Sequence, residues 1–332
     1  SGKNGKILLT RSLPVFDQTS EKQVEIIVTE ANLISDAREQ SRRMSSKLIE
    51  GGILQLIYFS SEFARKGIHE LLEVFERSPV NPLLANVVVV DGSPKELIET
   101  AHEFKDKPRP AFYVNQLLEN NRRDAYIPET RVYNFDIDYF AEGIDPVAPR
   151  IKLSENAIEV TGSALFSGDR MVGEIDPKWT GMLLAMMDEK KSTEYVYNQP
   201  GLEPPAGERK TGIAVLIREA KRQIGVNIKN NLPVFRINLT FETAISEYKW
   251  DDMNKDEVQK QLEKKLSDSI TDECNGLLKY MQKVGSDPIG MGEIIRSKYY
   301  SYWKTVDWKE VYKQADITAD CKVNIMRYGA IN

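Results

Sequence analysis

The residues whose types and spacing could do chemistry are few. Gly290-Met291-Gly292 follows Asp287-Pro288 and precedes a predicted helix, so its backbone amides could cradle an anion. The lysine and hydroxyl of a phosphate loop are missing, and no glycine-rich dinucleotide pattern occurs. The segment therefore reads as a turn that starts a helix. Asp136 and Asp138 flank Ile137 at a spacing found in some divalent-metal sites. They alternate with Phe135, Tyr139 and Phe140, which reads as a solvated acidic face beside an aromatic one. His69 falls at a helix start and His102 on a capped helix, and without a nucleophile elbow an acyl-transfer triad has no support. This reading assigns no catalytic residue, no cofactor-binding residue and no metal ligand, and it leaves the partner-binding surface unknown.

Cys274 lies near the apolar stripe of a predicted long helix and Cys321 on the inward face of the last predicted strand. Each reads as a small buried hydrophobe. Whether they pair stays open, because spacing cannot show that their Cα atoms come within about 7 Å. Tyr299, Tyr300, Tyr302, Trp303 and Trp308 could mark an interface, yet their spacing fits short helices packed on a sheet, and core packing is the expectation.

The 332 residues suffice for two or three domains, and 41% hydrophobic with 29% charged residues describes a globular chain. With 45 Lys and Arg against 50 Asp and Glu, no basic excess exists to neutralise a phosphate backbone, so nucleic acid is not an expected partner. The longest apolar stretches, 181–187 and 85–90, fall far short of the roughly 20 residues of a membrane span, and the chain is expected to be soluble. Ser1 and Gly2 are expected to be a cloning remnant joined to a trimmed protein.

Strands rich in Val and Ile are predicted at 24–28, 53–59 and 85–90, with helices over 31–49 and 62–77 between them. That alternation implies crossover units and a partly parallel sheet. Ser93-Pro94-Lys95-Glu96 is a capping box that opens another helix, and one more is predicted over 111–123. Next come a hairpin, 158–166 and 171–175 around Ser167-Gly168-Asp169, and a helix opened by Asp176-Pro177. A linker is expected at 199–207. Four alternating strands follow, at 213–217, 224–228, 235–241 and 317–325, with a helix over 255–283 whose apolar stripe could cover them. Asn254 is its expected start and Gly285 its stop. The fold class is thus mixed α+β in three domains: 1–148, α/β-like with a partly parallel sheet; 149–203, a small middle domain of hairpin plus helix; and 204–332, an antiparallel sheet covered by a long helix.

Several collinear segments carry a resemblance. Gly143-Ile144-Asp145-Pro146-Val147-Ala148-Pro149-Arg150, the run from Ile158 through Val160-Thr161-Gly162-Ser163 to Phe166, Met171-Val172-Gly173, Asp287-Pro288-Ile289-Gly290-Met291-Gly292 and Arg327-Tyr328-Gly329-Ala330-Ile331 are similar to the spore germination Ger(x)C lipoproteins. So are Ser12-Leu13-Pro14-Val15-Phe16 and Lys66-Gly67-Ile68-His69-Glu70-Leu71-Leu72 in the first domain, with 87–91.

The resemblance implies a non-enzymatic C subunit of a germinant receptor. Such a subunit has a signal peptide and a palmitate-bearing, lipidated cysteine that holds it on the outer face of the spore inner membrane, beside two integral-membrane subunits, A and B. No cofactor is implied, and the family motifs carry no active-site residue over. The leader, the anchoring cysteine and an initial strand before Lys6 are expected to lie upstream. Two rivals remain: an exported solute-binding lipoprotein that captures a small nutrient, and an enzyme acting on cell-wall or lipid material through Asp136, Asp138 and His102.

Overall fold

The structure, a computed structural model, describes residues 5–15, 24–45, 54–77, 83–189, 193–198, 212–248 and 256–328. The chain divides into two compact units, the first made of 1–120, 127–141 and 145–174 and the second of 121–126, 142–144 and 175–332.

In the first unit, β1 (Ile7–Pro14) and β2 (Val24–Ala31) pair antiparallel as a two-stranded sheet. α1 (Ile34–Met44) buries Ile34, Ala37 and Ser41, spaced to share one face. The strand predicted at 24–28 is therefore β2, but it pairs with β1, which has no counterpart among the predicted strands. Next in the chain are β3 (Leu56–Ser60), α2 (Ser61–Ala64), α3 (His69–Glu76), β4 (Asn86–Asp91), α4 (Pro94–Ala101), α5 (Pro110–Arg123), α6 (Val132–Phe140), β5 (Val147–Ser154), β6 (Ala157–Ser167) and β7 (Arg170–Ile175).

The strands β3 to β7 form one five-stranded sheet in that order. It is parallel across β3, β4 and β5, and β6 turns back antiparallel. Val87, Val88, Val89 and Val90 are each no more than 1% exposed, so β4 is covered on both faces, as a central parallel strand must be. Val87 and Val89 pack with Ile68, Leu72, Val132 and Phe135; Val88 and Val90 pack with Leu97, Ala101, Val114 and Leu118. Helices from both sides thus share one strand.

Local rules explain most of the boundaries. Ser93 accepts a hydrogen bond from the Glu96 amide at 3.3 Å, and Pro94 opens α4, as predicted. The helix predicted over 62–77 is instead two helices. Gly67 breaks it at φ 115°, where a Cβ would lie 2.6 Å from the Asp169 carboxylate. The expected boundary at 148 falls inside β5, which pairs with β4 on one side and β6 on the other, so the predicted hairpin extends the first sheet.

The second unit contains α7 (Pro177–Met186), β8 (Thr193–Asn198), β9 (Gly212–Lys229), β10 (Leu232–Tyr248), α8 (Asp256–Val284), α9 (Met291–Lys298), α10 (Tyr300–Trp303), α11 (Trp308–Gln314) and β11 (Asp316–Tyr328). Asp176 caps α7 by accepting from the Trp179 amide at 2.7 Å. The sheet order is β11-β10-β9-β8. Its first pairings are antiparallel, but β10 and β11 run parallel, because a helical crossover returns the chain in the same direction. The expected linker at 199–207 and the expected helix start at Asn254 lie outside the described residues.

The strands predicted at 213–217 and 224–228 are a single strand, β9. Its register skips Arg218, since Thr243 faces Ile217 while Glu242 faces Glu219. One extra residue reverses the side-chain alternation, so Ile213, Val215 and Ile217 share a face with Ala220, Ile224 and Val226. The fourth strand of the sheet is β8, which the sequence reading lacks.

α8 buries Leu262, Leu266, Ile270, Cys274, Leu277, Leu278 and Met281, and it ends at Gly285 with φ 73°. Beside that stripe runs a polar one. Ser267 Oγ accepts from the Val323 amide, Thr271 Oγ1 from the Cys321 amide, and Glu263 from the Ile325 amide. Asn275 accepts from the Ala319 amide and donates to the Ala319 carbonyl, both at 2.9 Å. The helix therefore caps the open edge of β11. Asn275→Ala is expected to lower stability by about 2 kcal/mol, since it leaves two part-buried backbone groups without partners. Urea denaturation and amide exchange at Ala319 check this; an unchanged midpoint with unchanged protection contradicts it.

Candidate functional site

Three polar centres stand out against these cores, and each gathers residues that are distant in the sequence. The first lies at the carboxyl end of β4, where open parallel sheets often bind ligands. Asp91 there receives Arg150 Nη2 at 2.7 Å, Ser61 Oγ at 2.9 Å and Thr161 Oγ1 at 2.9 Å. Burial works against the Asp91 charge, and the Arg150 guanidinium with the two hydroxyls outweighs it, leaving the carboxyl below its ordinary pKa. Its oxygens are committed to the protein's own donors, so the centre ties β4, β5 and β6 together.

The second centre explains the glycine-rich segment. Asp287 is 2% exposed, and its carboxylate accepts from the Met291 amide at 3.0 Å, the Gly292 amide at 2.9 Å and Trp308 Nε1 at 3.0 Å. The cradle that could have held an anion holds this side chain instead. Gly290 sits at φ 76° and begins α9, in accord with the predicted helix-start turn. A Cβ on Gly292 would lie 2.4 Å from Trp308 Nε1 and 2.6 Å from Gly143 Cα, so two of the resembling segments meet where only glycine fits.

The third centre is at the α3–α6 contact. His69 opens α3 and Glu76 closes it, two turns later on the same face. Asp136 comes from α6, with its Oδ1 3.5 Å from His69 Nδ1. One ligand atom from each of the three lies within 4.8 Å of the others, the one such group among the described residues. Tyr139 stacks on the imidazole with centroids 4.1 Å apart, and Phe140 meets its edge at 5.0 Å. Behind the imidazole, the His69 amide donates to Asp169 Oδ2 at 3.3 Å. Burial, then the neighbouring Glu76 carboxyl, pushes the Asp136 carboxyl up to about 8.

This corrects the reading of Asp136 and Asp138 as a solvated face beside an aromatic one. The segment is helical, so the period is 3.6 and the alternation is broken: Asp136 is 9% exposed, whereas Ile137 is 61% and Phe140 66% exposed. The structure brings Asp136 to His69 and places His102 apart, as the C-cap of α4. Glu76 is absent from the sequence reading; the signal that finds it is its position on the His69 face of one helix.

The remaining candidates are structural. Cys274 and Cys321 are buried free thiols, and the adjacent Cys321 thiol, with burial, pushes Cys274 well above its ordinary pKa. Trp308 is buried and packs on Trp303 and Tyr312, while Tyr299 and Tyr302 donate to carbonyls of Val226 and Asn231. Core packing therefore holds for Trp308, while Tyr299, Tyr302 and Trp303 are half-buried and Tyr300 is exposed at 57%. The first unit also holds a cavity of about 990 Å³, lined among the described residues by Leu56, Tyr58, Leu97 and Phe112, with Arg11 and Arg38 facing it.

Two family models account for nearly the whole chain. Residues 1–153 match one described as a spore germination protein N-terminal domain, and residues 161–329 match one described as spore germination B3/GerAC like, C-terminal. The chain belongs to this family of spore germination proteins. It is 26% identical over 324 residues to the spore germination protein GerQC of Bacillus cereus, covering 96% of this chain and 87% of that one. It is 20% identical over 314 residues to the putative spore germination protein YfkR of Bacillus subtilis, covering 90% and 77%. The crystal structure of the GerBC protein shares its fold, with a TM-score of 0.66 at 14% identity over 97% of each chain. The resemblance and the mixed α+β class expected from the sequence both hold. The border between the two models, at 153–161, falls at the β5–β6 turn rather than at the edge of the first sheet.

A pH prediction follows from the first centre. The Asp91 pKa is lower in the folded chain than its unfolded value of about 3.9, so its stabilisation is complete above that value and fades as pH falls through the folded pKa. Asp91→Asn should cost about 3 kcal/mol at neutral pH, because it leaves the buried Arg150 underpaired. It should also flatten the acid limb of the stability curve. Urea titrations at a series of pH values measure both; a variant whose acid limb matches the parent's would refute the assignment.

Proposed function

We propose that this chain is the ectodomain of the C subunit of a spore germinant receptor. In this reading it is held by an upstream lipidated cysteine on the outer face of the spore inner membrane and works without catalysis beside the integral-membrane A and B subunits. The observation that carries the reading is the pair of collinear family matches. Among the described residues no helix is long and apolar enough to cross a membrane, so attachment is assigned to the lipid. Each acyl CH₂ buried contributes about 0.8 kcal/mol, and two chains suffice for stable anchoring. Confinement to the bilayer surface then raises the effective concentration of the ectodomain at its partners. Commitment of Asp91 and Asp287 to internal donors supports a body that is shaped for docking.

The cavity in the first unit favours a second reading, capture of a small nutrient by an exported lipoprotein. The decisive experiment deletes the gene for the lipid-anchored protein in spores without redundant receptors and scores the response to nutrient germinants. Germination is expected to fail, and to return with the lipidated protein but not with a form lacking its anchoring cysteine. An unaltered response in the deletion strain defeats the receptor reading. Calorimetry with amino acids and sugars addresses the rival: stoichiometric tight binding would favour nutrient capture.

A further inference from the structure

We propose that His69, Glu76 and Asp136 bind a divalent first-row transition-metal ion, with one coordination position left for water or an incoming ligand. This site lies outside the receptor reading and does not depend on it. His69 Nδ1, Glu76 Oε1 and Asp136 Oδ1 are each shielded from solvent, and none takes a hydrogen bond from a group outside the three; within the group, only a proton shared between Asp136 and Glu76 links the two carboxyls. Asp136 as a residue is 9% exposed. Shielded polar atoms with no outside partner are destabilising, more so when charged, and these three lie within 4.8 Å of one another. A divalent ion would engage all three atoms at once.

The geometry fits a small ion. Ligands at about 2.1 Å from a tetrahedral centre stand roughly 3.4 Å apart, and His69 Nδ1 and Asp136 Oδ1 are separated by 3.5 Å. The third atom needs a modest approach within the 4.8 Å group. Glu76, at the last turn of α3 on a flexible stem, can make it. The imidazole is already oriented. Tyr139 stacks on one side, and Asp169 pins the backbone by accepting the Ile68 and His69 amides through its carbonyl and carboxylate. Gly67 at φ 115° lets that turn close on Asp169. One imidazole with two carboxylates suits Zn²⁺ or Mn²⁺, whereas Ca²⁺ and Mg²⁺ prefer all-oxygen shells.

The test uses the whole chain, stripped with a chelator and desalted. Calorimetry with Zn²⁺ and with Mn²⁺, and elemental analysis after gel filtration, are expected to give one ion per chain, with Ca²⁺ and Mg²⁺ silent. Asp136→Asn and His69→Gln should each weaken binding by more than about tenfold, the least that loss of even an outer-shell partner brings. A Cys274→Ser, Cys321→Ser double variant should bind like the parent. No binding of either probe ion, equal binding by the His69 and Asp136 variants, or loss confined to the cysteine variant would each overturn the site. Should a variant fail to fold by circular dichroism, Co²⁺ loaded into the parent chain decides: visible bands of nitrogen and oxygen ligation support the site, and a thiolate charge-transfer band rejects it.

Discussion

The open edge of β11 is the constraint on which the second unit depends. Its backbone pairs with β10 on one side only, and an uncovered edge would recruit another chain or lose its hydrogen bonds to the apolar surroundings. α8 removes the problem through matched periods. Four helical residues advance about 6 Å and two strand residues about 6.6 Å, so Glu263, Ser267, Thr271 and Asn275 meet Ile325, Val323, Cys321 and Ala319 in step. The apolar stripe next to it seals the same contact, with Leu266, Ile270 and Cys274 fully buried. Packing and polar satisfaction thus fix one register between helix and strand.

The first unit answers a related problem differently. Because β4 is buried on both faces, every backbone group along it must be paired within the sheet, and both helical layers must be present to keep water away. Its one charged end, Asp91, is neutralised by Arg150 from β5, with Ser61 and Thr161 completing the shell. In the second unit Asp287 plays the same part for the start of α9, gathering two amides and an indole. Both carboxylates are consumed by the fold.

The α3–α6 contact differs from those centres in what it leaves unpaired. There the two carboxyls and the imidazole face each other with no partner from outside the group, under a roof of Tyr139 and Phe140. An ion at that point would brace α3 against α6.

Periodicity and capping chemistry were legible in the sequence wherever a rule is local. Ser93, Asp176 and Gly285 mark their helix ends, the Val-rich run marks β4, and the Leu and Ile spacing marks α8, since each depends on neighbours a few residues away. The family itself was legible in the collinear segments. Tertiary structure alone decided that β9 is one bulged strand, that β5 to β7 complete the first sheet, and that β10 and β11 run parallel. It alone also decided that Asp136 turns inward to His69 and Glu76. The physical reason is that strand pairing and the burial of a charged group depend on partners scores of residues away, and no spacing along the chain encodes which of them will arrive.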